Sequence, residues 1–447
     1  MAKDNAFPAD FVWGASTSSY QIEGAVDADG RGKSIWDVFS HSPGRVKGGD
    51  TGDVACDHYH RWPEDVALMR ELGIGAYRLS TSWSRILPEG RGEANLKGLE
   101  YYDRLIDGIL EAGIEPWLCL YHWDLPQALE YRGGWQNRDT AHWYAEYALL
   151  TVRRLGDRVK HWATFNEPNC ACVKGYGDGE HAPGIRGRLS ALKAIHVMNL
   201  AHGFGIEAMR SERANLLLGN IFNFHPYEPG DDREEDELAT IMFDALWNRS
   251  FPDPQMLGRY PDRLAGEIDG LIEPGDLDRI HQPLDYFAFN HYTRSRVRRD
   301  PDHPFEVGAV PPPSGARVTD MGWEIAPDAF RSVMIEAKER YAGDLPIYIL
   351  ENGAAFPDQV DPDGRIRDED RISYLRAYLG AVQDAIAAGV PVRGYFVWSL
   401  LDNFEWTLGY SKRFGLVYVD YETQQRRPKD SFQFYAELAH GGALDHE

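Results

Sequence analysis

The sequence is poor in positive charge relative to negative charge. Its 447 residues include 47 Lys and Arg against 70 Asp and Glu, which gives a formal net charge of −23. A protein this acidic is repelled by phosphate backbones and by anionic lipid headgroups. Nucleic acid and membranes are therefore not expected as partners, whereas the acidic surface leaves both a monomer and an oligomer possible.

Long apolar runs are also absent. No segment contains eighteen uninterrupted apolar residues, so no membrane-spanning helix is expected. The opening residues, MAKDNAFPADF, lack the apolar core of a secretory signal peptide. We therefore expect a soluble cytoplasmic protein.

Cysteine is scarce, and its pattern predicts neither a metal site nor a disulfide framework. The four cysteines are Cys56, Cys119, Cys170 and Cys172. The last two form a Cys-x-Cys pair, but no second pair completes a zinc site. Cys119 lies in an apolar run and is expected to be buried. No phosphate-binding Gly-rich loop follows a strand either, so we expect no metal and no cofactor.

One arrangement recurs along the chain: an amphipathic helical stretch, a Gly, a short apolar run, then polar or aromatic residues. VALMRELG precedes IGAYRLSTSW, and AVQDAIAAG precedes VPVRGYFVWSL. With further runs near residues 11, 216, 286 and 347, eight strand-like segments alternate with helix-like ones. Such alternation indicates parallel strands with helical crossovers, and eight units favour a closed (β/α)8 TIM barrel over a doubly wound sheet.

The chain is longer than a minimal barrel of about 250 residues. The additional length lies in segments that follow strand ends, namely 24–60, 168–187, 295–323 and 402–416. No low-complexity tract or linker separates a second unit. The prediction is an α/β fold in which residues 1–447 form a single (β/α)8 barrel domain with long inserted βα loops.

Polar and aromatic side chains close most of the predicted strands. In a barrel these C-terminal strand ends meet at one mouth, where catalysis takes place. The residues expected there are Gln21, Arg78, His122, Trp123, Asn166, Glu167, Asn290, Tyr292, Glu351 and Trp398, with Glu405 and Trp406 just beyond.

Two glutamates at this mouth suggest a reaction. Glu167 closes the run TFNEP, and Glu351 closes YILENG. Cleavage of a glycosidic bond requires two carboxylates, one to protonate the leaving oxygen and one to attack or to direct water. A separation of roughly 5–5.5 Å gives retention and about 6.5–9.5 Å gives inversion. The sequence leaves that separation open.

Long motifs in a fixed order resemble family 1 of the glycoside hydrolases, the β-glucosidase family. The similarity extends from FVWGASTSSYQIEGA near the N-terminus to GYSKRFGLVYVDY near the C-terminus. Between them come YHWDLPQAL, GGW, TFNEP, GEHAPG, ENG and WSLLDNFEW. The resemblance implies a cofactor-free, retaining enzyme that releases terminal non-reducing β-D-glucose from small β-glucosides and oligosaccharides. It also implies tolerance of β-galactosides or β-fucosides.

The resemblance further implies a role for each rim residue. Glu167 corresponds to the acid/base and Glu351 to the nucleophile, which Arg78 and Tyr292 contact. The residues implied to hold the sugar are Gln21, His122, Trp123, Asn166, Asn290, Trp323, Trp398, Glu405, Trp406 and Phe414. Trp398 is the expected stacking floor, and Trp323 is an expected wall of the aglycone site.

One departure concerns the aglycone site, because Asn169 occupies a position where the family often has a Trp. We therefore expect an altered +1 subsite. Two other functions are less consistent with the sequence. A 6-phospho-β-glucosidase is disfavoured because Glu405 and Phe414 replace the Ser and Tyr of its phosphate site, leaving Lys412 alone. A non-catalytic sugar-binding barrel is disfavoured because both glutamates are present.

Overall fold

A computed structural model describes residues 7–444, and its centre is a closed barrel of eight parallel strands. The strands are β1 (Val12–Ser16), β2 (Ala76–Ser80), β3 (Glu115–Cys119), β4 (His161–Asn166), β5 (Leu217–Asn223), β6 (Phe287–Asn290), β7 (Ile347–Asn352) and β8 (Val392–Trp398). Each strand pairs with its neighbours in sequence, and β8 closes the barrel on β1. The predicted TIM barrel is confirmed.

Helices surround the barrel. The longer ones are α1 (His58–Leu72), α2 (Leu96–Glu111), α3 (Asp139–Leu155), α4 (Arg188–Glu212), α5 (Glu234–Asp244), α6 (Pro327–Ala337), α7 (Glu369–Ala387) and α8 (Asp430–Ala439). They form because apolar residues recur at helical spacing; in α2, Leu99, Leu105, Ile106 and Ile109 are buried on one face. Covered by helices outside and by side chains inside, β2 is buried along its whole length.

The barrel interior is packed with large side chains beneath the mouth. Trp117, Tyr286 and Phe396 form one buried cluster with Leu350, and the rings of Trp117 and Phe396 lie 5.2 Å apart. Cys119 belongs to this cluster and is buried as expected. Because the lower barrel is filled, ligands can reach only the mouth.

The loops at the mouth contain further ordered elements. The short helices are Ser19–Ile22, Ile35–Ser40, Trp83–Ile86, Gln127–Glu130, Pro168–Val173, Pro252–Leu257, Asp262–Ile268 and Asp276–Ile280. A three-stranded accessory sheet consists of Tyr227–Pro229, Ser295–Arg299 and Val307–Val310. A two-stranded hairpin pairs Val417–Val419 with Arg426–Pro428. Of these elements, Ile35–Ser40, Pro168–Val173, Ser295–Arg299 and Val307–Val310 lie in the predicted insertions, and the others lie elsewhere in the chain.

Among residues 7–444, no helix is both long enough and apolar enough to cross a bilayer. In the same part of the chain, no group of three or more His, Cys, Asp or Glu side chains is arranged to hold a metal ion.

Candidate active site

Glu351 lies at the end of β7, beside Asn290 of β6. Its side chain is buried and held at both oxygens. The Arg78 guanidinium donates to Oε1, and the Tyr292 hydroxyl donates to Oε2 at 2.5 Å. One oxygen therefore faces a cation and the other a phenol, which fixes the plane of the carboxylate.

Burial determines how Glu351 titrates. The pKa of Glu351 is raised to about 7, chiefly because the group is removed from water and, to a smaller degree, because the Glu167 carboxylate is nearby. Arg78 and the Tyr292 hydroxyl act in the opposite direction. The two donors therefore oppose the effect of burial without cancelling it, so the site is poised near neutral pH.

Glu167 directly follows β4 and has a left-handed backbone conformation, with φ 44° and ψ 60°. Its backbone N–H donates to the Ile221 carbonyl at 2.8 Å, and Pro168 begins the next short helix. Side-chain atom Oε1 accepts hydrogen bonds from Asn290 Nδ2 at 2.8 Å and Asn223 Nδ2 at 2.9 Å. This sparsely populated conformation holds the carboxyl group over the mouth.

A polar layer lies between the two glutamates and the barrel wall. Asn166 Oδ1 accepts from Arg78 at 3.1 Å and from Asn290 Nδ2 at 3.0 Å. The two ring nitrogens of His122 lie 3.1 Å from Asn166 Nδ2 and 3.2 Å from the Arg78 guanidinium. Burial and the Arg78 charge hold the pKa of His122 well below its ordinary value, so this imidazole is neutral.

A cavity of about 380 Å³ opens above these residues. Ten of the predicted residues line it: His122, Trp123, Glu167, Tyr292, Trp323, Glu351, Trp398, Glu405, Trp406 and Phe414. The Trp398 ring lies 5.9 Å from the His122 ring, nearly parallel to it, and Trp406 packs 4.7 Å from Trp123. The structure thus brings two carboxylates and a set of aromatic faces into one concave surface, which suits a sugar.

The four other predicted residues lie behind this lining. Arg78, Asn166 and Asn290 form the polar layer already described. Gln21 donates from Nε2 to Asn403 Oδ1 at 3.0 Å and to the Phe404 carbonyl at 2.9 Å. Its amide therefore supports the segment that carries Glu405, and direct contact between Gln21 and a sugar stays a prediction.

Comparison with known proteins identifies the family. The family model for glycosyl hydrolase family 1 matches residues 3–442. The chain belongs to glycosyl hydrolase family 1. β-Glucosidase A from Thermotoga maritima is 47% identical over 98% of this chain and 99% of its own length.

Two further comparisons for this family 1 chain concern a structure with a bound ligand and a relative named for two activities. A structure of β-glucosidase from Thermotoga maritima in complex with deoxynojirimycin superposes with a TM-score of 0.93, at 46% identity over 99% of this chain and 100% of that one. A bifunctional β-D-glucosidase/β-D-fucosidase from Bifidobacterium breve is 45% identical over 96% of this chain and 97% of its own length.

Glu405 is distinctive within this family 1 site because it forms no ion pair among the described residues, although Lys174 acts to lower its pKa. Burial, together with the negative charges of Glu351 and Glu167, raises the pKa of Glu405 to about 8. Its Oε2 is buried and has no hydrogen-bond partner among the described residues. An acceptor left unpaired beside a cavity is suited to a ligand hydroxyl.

Asn169 does not wall the cavity of this family 1 chain. Its side chain is buried, and Nδ2 donates to the backbone carbonyls of Asn223 at 3.1 Å and Trp247 at 3.0 Å. Trp247 itself lines the cavity, in the turn Ala245–Arg249 that continues α5. Asn169 thus lies behind the cavity lining, and an altered +1 subsite stays a prediction.

Several functional candidates were missed in the sequence. Asn223 ends β5, and the strand-end rule applied to the other strands would have found it. Trp247, Cys170 and His181 also line the cavity. Trp247 follows no strand, and only tertiary packing brings it to the mouth.

Proposed function

We propose that this family 1 chain is a retaining β-glucosidase that acts through a covalent glycosyl-enzyme intermediate. The observation that carries the proposal is the arrangement of Glu351 and Glu167. Glu351 is held between Arg78 and Tyr292, and Glu167 lies in the same cavity with two amide donors on one oxygen. Homology to β-glucosidases over nearly the whole chain supports it.

In the first step the Glu351 carboxylate attacks the anomeric carbon, and Glu167 transfers its proton to the leaving oxygen. The glycosidic bond breaks, an ester to Glu351 forms, and the aglycone alcohol departs. Esterification removes the charge of Glu351, which makes deprotonated Glu167 more favourable. In the second step Glu167 takes a proton from water, whose oxygen attacks the anomeric carbon and releases glucose with Glu351 restored.

The surrounding residues are proposed to hold the glucosyl unit. Trp398 supplies the stacking face, and His122, Glu405 and Trp406 meet hydroxyl groups from the cavity wall. Gln21, Asn166 and Asn290 act from the layer behind, and Trp123 and Phe414 complete the enclosure. Trp323 faces the leaving group. Acceptance of β-fucosides or β-galactosides is supported by the Bifidobacterium breve relative, which is named for both glucosidase and fucosidase activity.

The alternative of a phosphorylated sugar substrate is disfavoured by the charges around the cavity. Lys412, the one cation that the sequence offered, forms an ion pair with Asp320 at 2.8 Å. Glu405, whose pKa burial raises to about 8, offers no positive charge to a bound phosphate. A non-catalytic role is disfavoured because Arg78 and Tyr292 hold a carboxylate in a geometry that sugar binding alone does not require.

We propose in addition that residues 1–447 form one catalytic domain and that the protein acts in the cytoplasm. The match of the family model to residues 3–442 supports the first part. Substrates are expected to be β-glucosides and short oligosaccharides.

Trapping of the intermediate tests the function. The protein is incubated with an activated 2-deoxy-2-fluoro-β-glucoside, and its intact mass is measured before peptide mapping. The fluorine slows both steps, while the activated leaving group lets the first proceed, so the ester accumulates. A single sugar adduct on the peptide that contains Glu351 is expected. No adduct, together with no hydrolysis of aryl β-glucosides, would contradict the proposal, and a 6-phosphoglucoside would then be tested.

A further inference from the structure

The hydrogen bonds behind Glu167 extend to a tryptophan that the reaction scheme does not use. Trp247 Nε1 donates to Asn223 Oδ1 at 3.0 Å, and Asn223 Nδ2 donates to Glu167 Oε1 at 2.9 Å. Asn169 Nδ2 donates to the backbone carbonyls of both Asn223 and Trp247. The four residues are all buried, so these contacts form in a region of low dielectric.

The direction of the Asn223 amide is fixed by this arrangement. An indole N–H can only donate, so the atom of Asn223 that faces Trp247 must be the oxygen. The NH₂ group of Asn223 then necessarily faces Glu167. Asn169 supports the same geometry, because its NH₂ group is hydrogen-bonded to the backbone of both residues that form the Trp247–Asn223 contact.

The second donor to Glu167 is fixed in the same way. Asn166 Oδ1 accepts from the Arg78 guanidinium, which can only donate. The atom of Asn290 that lies 3.0 Å from this oxygen must therefore be its nitrogen, and that nitrogen also donates to Glu167 Oε1. Two N–H groups thus converge on one oxygen of the carboxyl group.

We propose that Trp247 is a positioning residue that, through Asn223, confines the acidic proton of Glu167 to Oε2. A carboxylic acid with two donors on one oxygen accepts there with its carbonyl oxygen and carries its hydrogen on the other oxygen. The acid is then ready to protonate a leaving group without rotation about its terminal bond. This inference rests on the proposed function of Glu167 as the acid/base.

Trp247 also lines the cavity, so it meets the aglycone directly as well as acting through Asn223. A test must separate these two effects. Phenyl β-glucoside and 2,4-dinitrophenyl β-glucoside serve this purpose, because both present one aromatic ring but only phenolate is a poor leaving group. Loss of ring contact affects both substrates, whereas loss of a positioned acid affects chiefly phenyl β-glucoside.

The decisive variant is Trp247→Phe, which keeps an aromatic ring and removes the N–H. We expect kcat/KM for phenyl β-glucoside to fall about tenfold relative to kcat/KM for the dinitrophenyl substrate. The alkaline limb of the pH profile of kcat/KM should move to higher pH, because a loosened amide stabilises the Glu167 carboxylate less. Trp143→Phe is the control: this half-buried residue of α3 lies under the Arg91 guanidinium, outside the cavity, and its variant should match the wild type.

A second variant, Asn223→Ala, removes the donor itself and should give the same substrate dependence with a larger ratio. Equal losses of kcat/KM for both substrates in Trp247→Phe, with an unmoved alkaline limb, would overturn the inference and leave Trp247 as a packing residue. The wild type separates this result from failure of the proposed function. If it forms the fluoro-sugar adduct on Glu351, the function stands whatever the variants do.

Discussion

Two buried groups of charges lie at the mouth of the barrel, and they are built in opposite ways. The catalytic cluster consists of Glu167, Glu351, Glu405 and Arg78; of its three carboxylates, only Glu351 forms an ion pair among the described residues, with Arg78. In the balanced cluster, three carboxylates meet three cations: Asp358, Asp368 and Asp402 with Arg371, Arg413 and Lys429. Glu351 of the catalytic cluster lies in β7 and Glu405 follows β8, and the residues of the balanced cluster follow the same two strands.

The contrast is visible in how the carboxyl groups titrate. Burial raises the pKa of Asp358, but Lys429 and Arg371 outweigh it and hold this pKa below its ordinary value. In the catalytic cluster burial prevails, and the pKa values of Glu351 and Glu405 rise to about 7 and about 8. The balanced cluster therefore stabilises the loops, whereas the catalytic cluster retains unneutralised charge that a substrate can use.

The largest expected effect is the loss of activity when the nucleophile is removed. Glu351→Ala should lower kcat for an aryl β-glucoside by at least about 10⁴-fold, because no ester can form. The variant should still unfold cooperatively on heating, so that the loss of turnover reflects the missing nucleophile and not unfolding. Activity assays and calorimetry check both parts, and near-normal turnover would disprove the assigned role.

Breaking the balanced cluster should instead cost stability. Arg371→Met leaves Asp358 and Asp368 without their shared cation and should lower the free energy of unfolding by about 3–5 kcal/mol. Urea denaturation measures this. Arg365→Met removes an exposed ion pair with Asp430 and should change the free energy of unfolding by under about 1 kcal/mol.

If Arg371→Met does not accumulate as folded protein, Arg413→Met provides a milder version, because Arg413 is partly exposed and pairs with Asp402 alone among the three carboxylates. Equal urea midpoints for Arg413→Met and Arg365→Met would argue that the balanced cluster contributes no more than a surface pair.

A smaller effect is expected on the pH dependence of the reaction. Tyr292→Phe removes a hydrogen bond that lowers the pKa of Glu351, so this pKa should rise further above about 7. Because Glu351 must be ionised to attack, the acidic limb of kcat/KM should move to higher pH. A pH profile with an aryl glucoside measures the shift. An unmoved limb would mean that another group controls it.

A last effect concerns stability and Glu405. A carboxyl group with a pKa of about 8 in the folded protein and about 4.3 when unfolded destabilises the fold progressively as pH rises between these values. Glu405→Gln removes this penalty, so its melting temperature should exceed that of the wild type by about 5 °C at pH 8.5 and match it near pH 4.5. Calorimetry at both pH values checks the difference, and a constant offset would exclude titration of Glu405 as its cause.

Sequence patterns predicted the barrel because each buried parallel strand is a short apolar run followed by a polar residue. That same rule placed Glu167 and Glu351 on one rim, and the structure has both lining one cavity. The resemblance to family 1 supplied roles that no pattern could assign. What the sequence could not supply was the balance between burial and charge at Glu351, because the closing loops determine its solvation.

Trp247 could not be predicted from the sequence, for a different reason. It lies beyond α5 and reaches the cavity through packing against residues distant in sequence, so neither strand position nor periodicity indicates it. Asn169, in contrast, stands out in the sequence, but its role is visible only in the structure. Its identity predicted a changed aglycone side, but only the structure reveals that its amide fastens the backbone beneath Trp247.

The accessory sheet limits how the substrate preference of this enzyme can be altered by exchanging loops. Tyr227–Pro229 comes from the loop after β5 and pairs in parallel with Ser295–Arg299, from the loop after β6. Neither loop can be exchanged alone without leaving unpaired backbone groups in its neighbour. The two loops therefore have to be exchanged together. A graft of both loops together would change the outer wall of the cavity and leave Glu351, Arg78 and Tyr292 in place below it.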